Sequence, residues 1–300
     1  MQGEVGGDAG AEGTVAADVT MARLADGCDA LVHSAAVLYS GLPWEEVRRR
    51  NVEGSMRIFQ AAASAGIRSA VHLSTVAVYG AVSGPVQERD PLQGVLGRHE
   101  FYARSKREAE DAVVGASEGS GMAVTLLRPS AVYGERDRLF TPNLLRLLRR
   151  PIHPMPGGGR TSLPLIYAGN LADAVGCALK GGAPPGIRVY NVAEDHPVTQ
   201  RMLWAAMAEA HGVPFRPLTL PGPIVFGAAR LAEALGVRVP GAGELSLGRV
   251  ARLALRPNPY RSERIREELG WTPPVPLEEA VRRTVRWFDD SDVPESGGER

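Results

Sequence analysis

An α/β fold, with a parallel sheet and a smaller, mostly helical C-terminal cap, is what this 300-residue sequence predicts. Two observations carry the prediction. Short apolar runs alternate with longer amphipathic ones up to about residue 200, the pattern of repeated strand-helix-strand units. From Arg201 onward the strand signal fades, leaving amphipathic or apolar runs at 202–211, 224–235 and 277–288, which suit helices laid over an open sheet. The expected organisation is therefore a sheet domain at 15–200 and a substrate cap at 201–289 with contributions from 135–168. The polar, Gly-rich ends at 1–14 and 290–300 are expected to be disordered.

The elements follow in order. Ala30 to Ser34 reads as an apolar strand, and the small residues Ala35 and Ala36 after it permit close approach of a ligand. A helix is predicted from Pro43, a favoured first helical residue, to Ala65, stopped by Gly66, with Val47, Val52, Met56, Phe59 and Ala63 on its apolar face. A strand from Ser69 to Ser74 ends in the hydroxyls of Ser74 and Thr75, followed by Val76-Ala77-Val78-Tyr79-Gly80. Carboxyl ends of strands are where open α/β sheets bind ligands. Tyr102 to Ser117 is rich in helix formers. A strand from Ala123 to Arg128 then exits through Pro129, Ser130, Ala131, Val132, Tyr133 and Gly134. Pro156-Gly157-Gly158-Gly159-Arg160 reads as a loop before a strand at Thr161 to Tyr167. A helix at Asn170 to Lys180 and a strand at Arg188 to Val192 complete the sheet domain. In the last run, Leu277, Val281, Thr284, Val285 and Phe288 fall on one helical face.

Composition excludes several classes of function. The 34 acidic and 34 basic side chains balance, so no global field favours nucleic acid or an anionic membrane. Cys28 and Cys177 form no CxxC and no Cys/His cluster, and the six histidines never stand at HxxxH spacing. That supports neither a disulfide framework nor a metal site. No apolar run approaches the ~20 residues of a membrane span. The start lacks a basic segment followed by an apolar one, so no signal peptide is expected. A reducing, cytoplasmic compartment is the expectation.

One spacing carries chemistry. Only two of the 34 basic side chains are lysines, and one of them, Lys106, stands four residues after Tyr102. A helix puts the two on one face, where the ammonium stabilises the phenolate and tunes Tyr102 as an acid or base near neutral pH. Two other patterns are set aside. Gly115-Ala116-Ser117-Glu118-Gly119 fits GxSxG, but its Ser ends a helix and precedes a strand, the reverse of a nucleophile elbow. Gly7 to Gly13 fits GxxGxxG, but no apolar strand leads into it.

The ordered set resembles the extended short-chain dehydrogenase/reductase family, which includes nucleotide-sugar epimerases, dehydratases and 3β-hydroxysteroid dehydrogenase-like enzymes. The matching residues are Asp18-Val19-Thr20, Gly27 to Ala36, Asn51-Val52-Glu53-Gly54, Ser74-Thr75 to Tyr79-Gly80, Tyr102 with Lys106, Arg128-Pro129 to Tyr133-Gly134, Asn170 to Ala174 and Glu268-Leu269-Gly270-Trp271. The resemblance implies a Rossmann-like, doubly wound parallel sheet and NAD or NADP as cofactor. It implies Tyr102 as the acid/base, Lys106 as ligand of the nicotinamide ribose and Thr75 as the catalytic hydroxyl, with Ser74 as a substitute. Asp18 and Val19 would approach the adenine, Ala35 and Ala36 the cofactor backbone, and Pro129, Ser130 and Val132 the nicotinamide. Arg160 is a candidate substrate contact, and a homodimer through the Tyr102 helix is a further implication.

The family's opening strand, glycine turn and helix have no counterpart in the residues before Asp18, so the sheet is expected to be N-terminally truncated. The expected activity is hydride transfer on a secondary alcohol or ketone, hydrophobic and steroid-like given the apolar C-terminal half. The alternatives are a nucleotide-sugar epimerase or dehydratase, or a truncated non-catalytic Rossmann-like protein.

Overall fold

A computed structural model describes residues 27–38, 41–82, 84–98, 100–180, 182–194, 196–235, 255 and 258–290. Asp18, Val19 and the glycine pattern at 7–13 lie outside these residues. The central sheet holds four parallel strands, β1 (Ala30–His33), β2 (Ser69–Leu73), β3 (Ala123–Pro129) and, seventh in the chain, β7 (Gly186–Val192), in the order β1-β2-β3-β7. Register is continuous across them: His33 pairs with His72, His72 with Leu126, and Leu126 with Val189.

Both faces of the sheet are covered, which is why its inner strands read as unbroken apolar runs. On one face Ala70, Val124 and Leu126 pack with Phe59 and Ala62 of α2 (Gly54–Ser64) and Val113 of α3 (Phe101–Ser117). On the other, their neighbours Val71 and Leu127 meet Leu171, Ala174 and Ala178 of α5 (Ala168–Lys180). Every residue of β3 is buried.

The predicted helix at 43–65 is present with one local change. It runs as α1 (Trp44–Arg48), a π-helical turn at Arg49–Glu53, and α2. The wider turn shifts the inward face, so that Val47, Asn51, Ser55, Phe59 and Ala62 are buried while Met56 and Ala63 are only half-buried. Asn51 and Ser55 thus point at the sheet, where polar partners await them.

The remaining elements are β4 (Ala131–Tyr133) paired with β6 (Leu165–Tyr167), β5 (His153–Pro156) paired with β8 (Pro217–Leu220), and the helices α4 (Phe140–Leu148), α6 (Gln200–Ala210), α7 (Gly222–Ala234), α8 (Glu263–Leu269) and α9 (Leu277–Asp290). Of these, β4, β5, β6, α4, α6 and α9 build a second core. Leu144, Leu148, Leu203, Met207, Val281 and Val285 form its centre. The faded strand signal after residue 201 misses β8, a four-residue edge that begins at a proline and is largely exposed, so it carries no apolar alternation. The strand expected over 161–167 contracts to β6, because Ser162 and Leu163 instead bond the segment before α6. Ile265 and Trp271 pack into the core of the sheet's second face, beside Tyr190 and Val192. Among the described residues no helix is long and apolar enough to cross a membrane.

Candidate active site

The site lies where β2 ends and α3 begins. Lys106 is 3% exposed, and its ammonium donates to the Leu73 carbonyl at 2.7 Å. That carbonyl is one of the groups left over where the parallel ladder stops, and the lysine satisfies it. An ammonium has three N–H donors, so two remain beyond Leu73 among the described residues. Burial pulls Lys106 from 10.5 down to about 8, against the opposing pull of Glu110. Tyr102 is half-buried one turn earlier on α3.

Thr75 follows the strand in extended backbone and caps the 3-10 turn Val76–Tyr79. Its hydroxyl accepts the Ala77 N–H at 3.2 Å, which leaves its own O–H available to donate. Ser74 differs. It is 3% exposed and its hydroxyl donates to Glu110 Oε1, so that proton is committed within the protein.

Two polar assemblies hold this corner. In the first, Asn51 accepts the Val37 N–H at 2.7 Å and donates at 2.9 Å each to the Val37 carbonyl and Ser105 Oγ. It pins the segment after β1 to α3, and Ser34 and Ala35 lie exposed there with Ala36 half-buried. Ser55 donates to the Asn51 carbonyl at 2.6 Å, so the His33 Nε2 contact at 2.9 Å makes the ring the donor. Burial first, then the Lys106 charge, brings His33 down to about 4 and holds His72 well below the usual range.

The second assembly centres on Arg128 near the end of β3. Its guanidinium forks onto Glu110 at 2.9 and 2.6 Å, with both side chains almost fully buried. It also donates to the Tyr79 hydroxyl at 2.8 Å and the Glu88 carbonyl at 3.2 Å, while Tyr79 donates to Asn191 Oδ1 at 2.8 Å. The Glu88 carboxylate accepts the Asn191 N–H. Arg107 holds the same loop from α3, donating to the carbonyls of Val78 and Gly94.

Of the sequence-predicted residues, Lys106 bonds the carbonyl of Leu73 and Ser74 bonds Glu110 of the same helix, while Thr75 follows Ser74 in the chain and Tyr102 stands one turn before Lys106. At the β3 exit, Pro129 and Ser130 are buried and Ser130 bonds the Val192 carbonyl, so only Ala131 and Val132 are exposed. Arg160 stands exposed beyond the 3-10 turn Gly157–Gly159, on the segment whose Thr161 carbonyl receives the Gln200 N–H in the second core. A cleft of about 400 Å³ beside Tyr79, lined by Ala81, Val82, Pro85, Val86 and Asp90, contains none of the predicted residues. Sequence reasoning missed the parts played by Asn51, Glu110 and Arg128. A signal was present: Arg128 is the lone charge in an apolar strand, and Glu110 repeats the Lys106 face one turn on.

Comparison with known proteins adds four findings. The model of the NAD dependent epimerase/dehydratase family matches residues 7–193. The chain is 30% identical over 250 residues, 82% of its length and 73% of the other, to a 4-hydroxy-2-methyl-3-oxo-4-farnesyl-3,4-dihydroquinoline-1-oxide ketoreductase of Stigmatella aurantiaca. It is 25% identical over 254 residues to 3beta-hydroxysteroid-dehydrogenase/decarboxylase isoform 2 of Arabidopsis thaliana, spanning 79% of this chain but 44% of that one. Among solved structures, DesIV, a dTDP-glucose 4,6-dehydratase from Streptomyces venezuelae with NAD and TYD bound, superposes with a TM-score of 0.64 at 24% identity, covering 91% of this chain and 76% of the other. That last likeness is one of fold.

Proposed function

Because the chain belongs to the NAD dependent epimerase/dehydratase family, the extended short-chain dehydrogenase/reductases, we propose that it is an NAD(P)-dependent oxidoreductase acting on a secondary alcohol or ketone. Tyr102 is the acid/base, Lys106 the cofactor-ribose ligand and Thr75 the hydroxyl partner of the reacting oxygen. The observation that carries this reading is the buried Lys106, one helical turn from Tyr102, with its ammonium on the carbonyl of Leu73 two residues before Thr75.

The residues described suit the nicotinamide half of a dinucleotide. Lys106 retains two donors for ribose hydroxyls, and the exposed Ser34 and Ala35 leave room at the β1 exit. Pro129, Ser130 and Val132 at the β3 exit are assigned to the nicotinamide side, and Asp18 and Val19 to the adenine. When bound, the cofactor supplies or accepts the hydride. The work of the chain is the proton. Tyr102 delivers it to the carbonyl oxygen as negative charge develops there, and takes it back in the reverse direction. Thr75 donates a hydrogen bond to the same oxygen, a stabilisation that counts most where water is excluded. Lys106 favours the phenolate and so keeps Tyr102 competent in both directions.

A hydrophobic substrate is the preferred class. The support is the ketoreductase and hydroxysteroid names of the relatives, together with the exposed apolar side chains Ile224, Phe226 and Leu231 of α7. A dehydratase would call for acids after the hydroxyl, where Val76 and Ala77 stand.

The test is a fluorescence titration with NADH and NADPH, followed by turnover on hydrophobic ketones. Tyr102→Phe should retain cofactor affinity and lose turnover by about a hundredfold or more. Turnover unchanged in that variant removes Tyr102 from the chemistry, and no cofactor binding at millimolar concentration leaves a non-catalytic Rossmann-like protein.

A further inference from the structure

We propose that the buried Glu110–Arg128 pair is a positioning device: it sets the register of the Thr75 strand exit, and of loop 80–98, against the helix that carries Tyr102 and Lys106. This rests on the reading of those three residues given above and adds two residues that touch neither substrate nor cofactor.

Lys106 and Glu110 stand one turn apart on the same face of α3. The first takes the carbonyl of Leu73 and the second the hydroxyl of Ser74, so consecutive strand residues are held on consecutive rungs of one helix. Thr75 comes next. A single rung would let the strand exit pivot, and the second removes that freedom. Arg128 completes the frame from β3, forking onto Glu110 and reaching Tyr79 and Glu88. The chain between Thr75 and Tyr102 is thereby tied at its start through Tyr79 and along its course through Glu88, both to one ion pair.

Energetics favour registry as the reason for such a pair. The desolvation of two buried charges offsets most of their attraction, and replacing a buried pair by apolar residues is often neutral or stabilising, so the best-attested use of one is to fix a single arrangement. Here both partners are almost fully buried, and their other hydrogen bonds go to Ser74, Tyr79 and the Glu88 carbonyl. The same carboxylate also acts on Lys106 electrostatically, opposing the effect of burial. The other titratable groups that sense Lys106 are His72 on β2 and His33 on β1.

The test uses the full chain. With only two lysines, Lys106 and Lys180, the ε-carbon resonance of Lys106 in lysine-labelled protein is assigned by its loss in Lys106→Met. Wild-type Lys106 is expected to titrate at about 8. In Glu110→Gln it titrates lower, because an attractive charge is gone, and kcat falls by about tenfold or more with KM little changed. Arg128→Lys keeps the charge but not the fork; its kcat falls likewise while Lys106 stays near its wild-type value. A folded Glu110→Gln protein with both the Lys106 titration and kcat unchanged overturns the proposal. If that variant does not fold, an unchanged kcat in Arg128→Lys overturns it instead. If the wild-type protein shows no turnover at all, it is the functional reading that fails, and the Lys106 titration still decides whether Glu110 governs this helix face.

Discussion

Lys106 carries a cost that its neighbours only partly offset. Burial lowers its pKa from 10.5 to about 8, so between those values the unfolded chain binds the proton and the folded one does not. The destabilisation is therefore fully present below about pH 8 and is relieved as pH rises toward 10.5. A shift of that size corresponds to roughly 3 kcal/mol. Lys106→Met, similar in length and uncharged, sheds that cost but strands the Leu73 carbonyl, a loss of about 1 kcal/mol. The net expectation at pH 7 is a gain of about 2 kcal/mol in urea unfolding, shrinking as pH rises and turning into a loss of about 1 kcal/mol above pH 10.5, alongside lost turnover. Sequence alone singled out this lysine, because an i,i+4 spacing and a rare residue type are both visible without coordinates. Its burial was not visible, since the Leu73 carbonyl that receives it belongs to a strand 33 residues away.

At the scale of elements, the strands and helices of the sheet were legible because each buries a face with its own period. Residues 123–129 are buried throughout and therefore read as an apolar run interrupted only by Thr125 and Arg128. The π-turn at Arg49–Glu53 was not legible. It rotates α2 by about a residue relative to the face that spacing gives for a regular helix, and what it gains, the Asn51 clamp on Val37, depends on a partner remote in sequence. Loop 80–98 shows a different limit. A Cβ on Gly94 would lie 1.9 Å from the Tyr79 carbonyl oxygen, so only glycine allows the loop to close against the 3-10 turn. Gly94→Ala should cost about 1 to 3 kcal/mol, read as a lower urea midpoint at unchanged slope, and should lower kcat because Arg107 and Arg128 lose the loop they hold.

The molecule as a whole is stitched together by its C-terminal segment. Asn170 bonds the backbone of Val275 in both directions, Trp271 donates to Asp173 at 3.0 Å, Tyr190 donates to Glu268 at 2.8 Å, and Ser262 exchanges hydrogen bonds with Ala193. The segment that reads as cap in sequence therefore closes the sheet's second face before α9 joins the second core. Periodicity could not reveal this, since it reports which residues are buried and not which layer buries them. Trp271 is 3% exposed, and Trp271→Ala should cost about 3 to 5 kcal/mol. If the sheet depends on this segment, near-UV and far-UV signals will fall in one shared transition at the lower midpoint.

The Arg128 assembly also constrains how such a sequence can drift. Tyr79, Glu88 and Glu110 all bond one guanidinium, and Asn191 joins it through Tyr79 and Glu88. A change at any one strands a partner in a dry interior, so single substitutions there meet a steeper penalty than the sum of their contacts suggests. Those positions are bound to change together or not at all, whereas the exposed apolar surface of α7, which no such network holds, is free to wander.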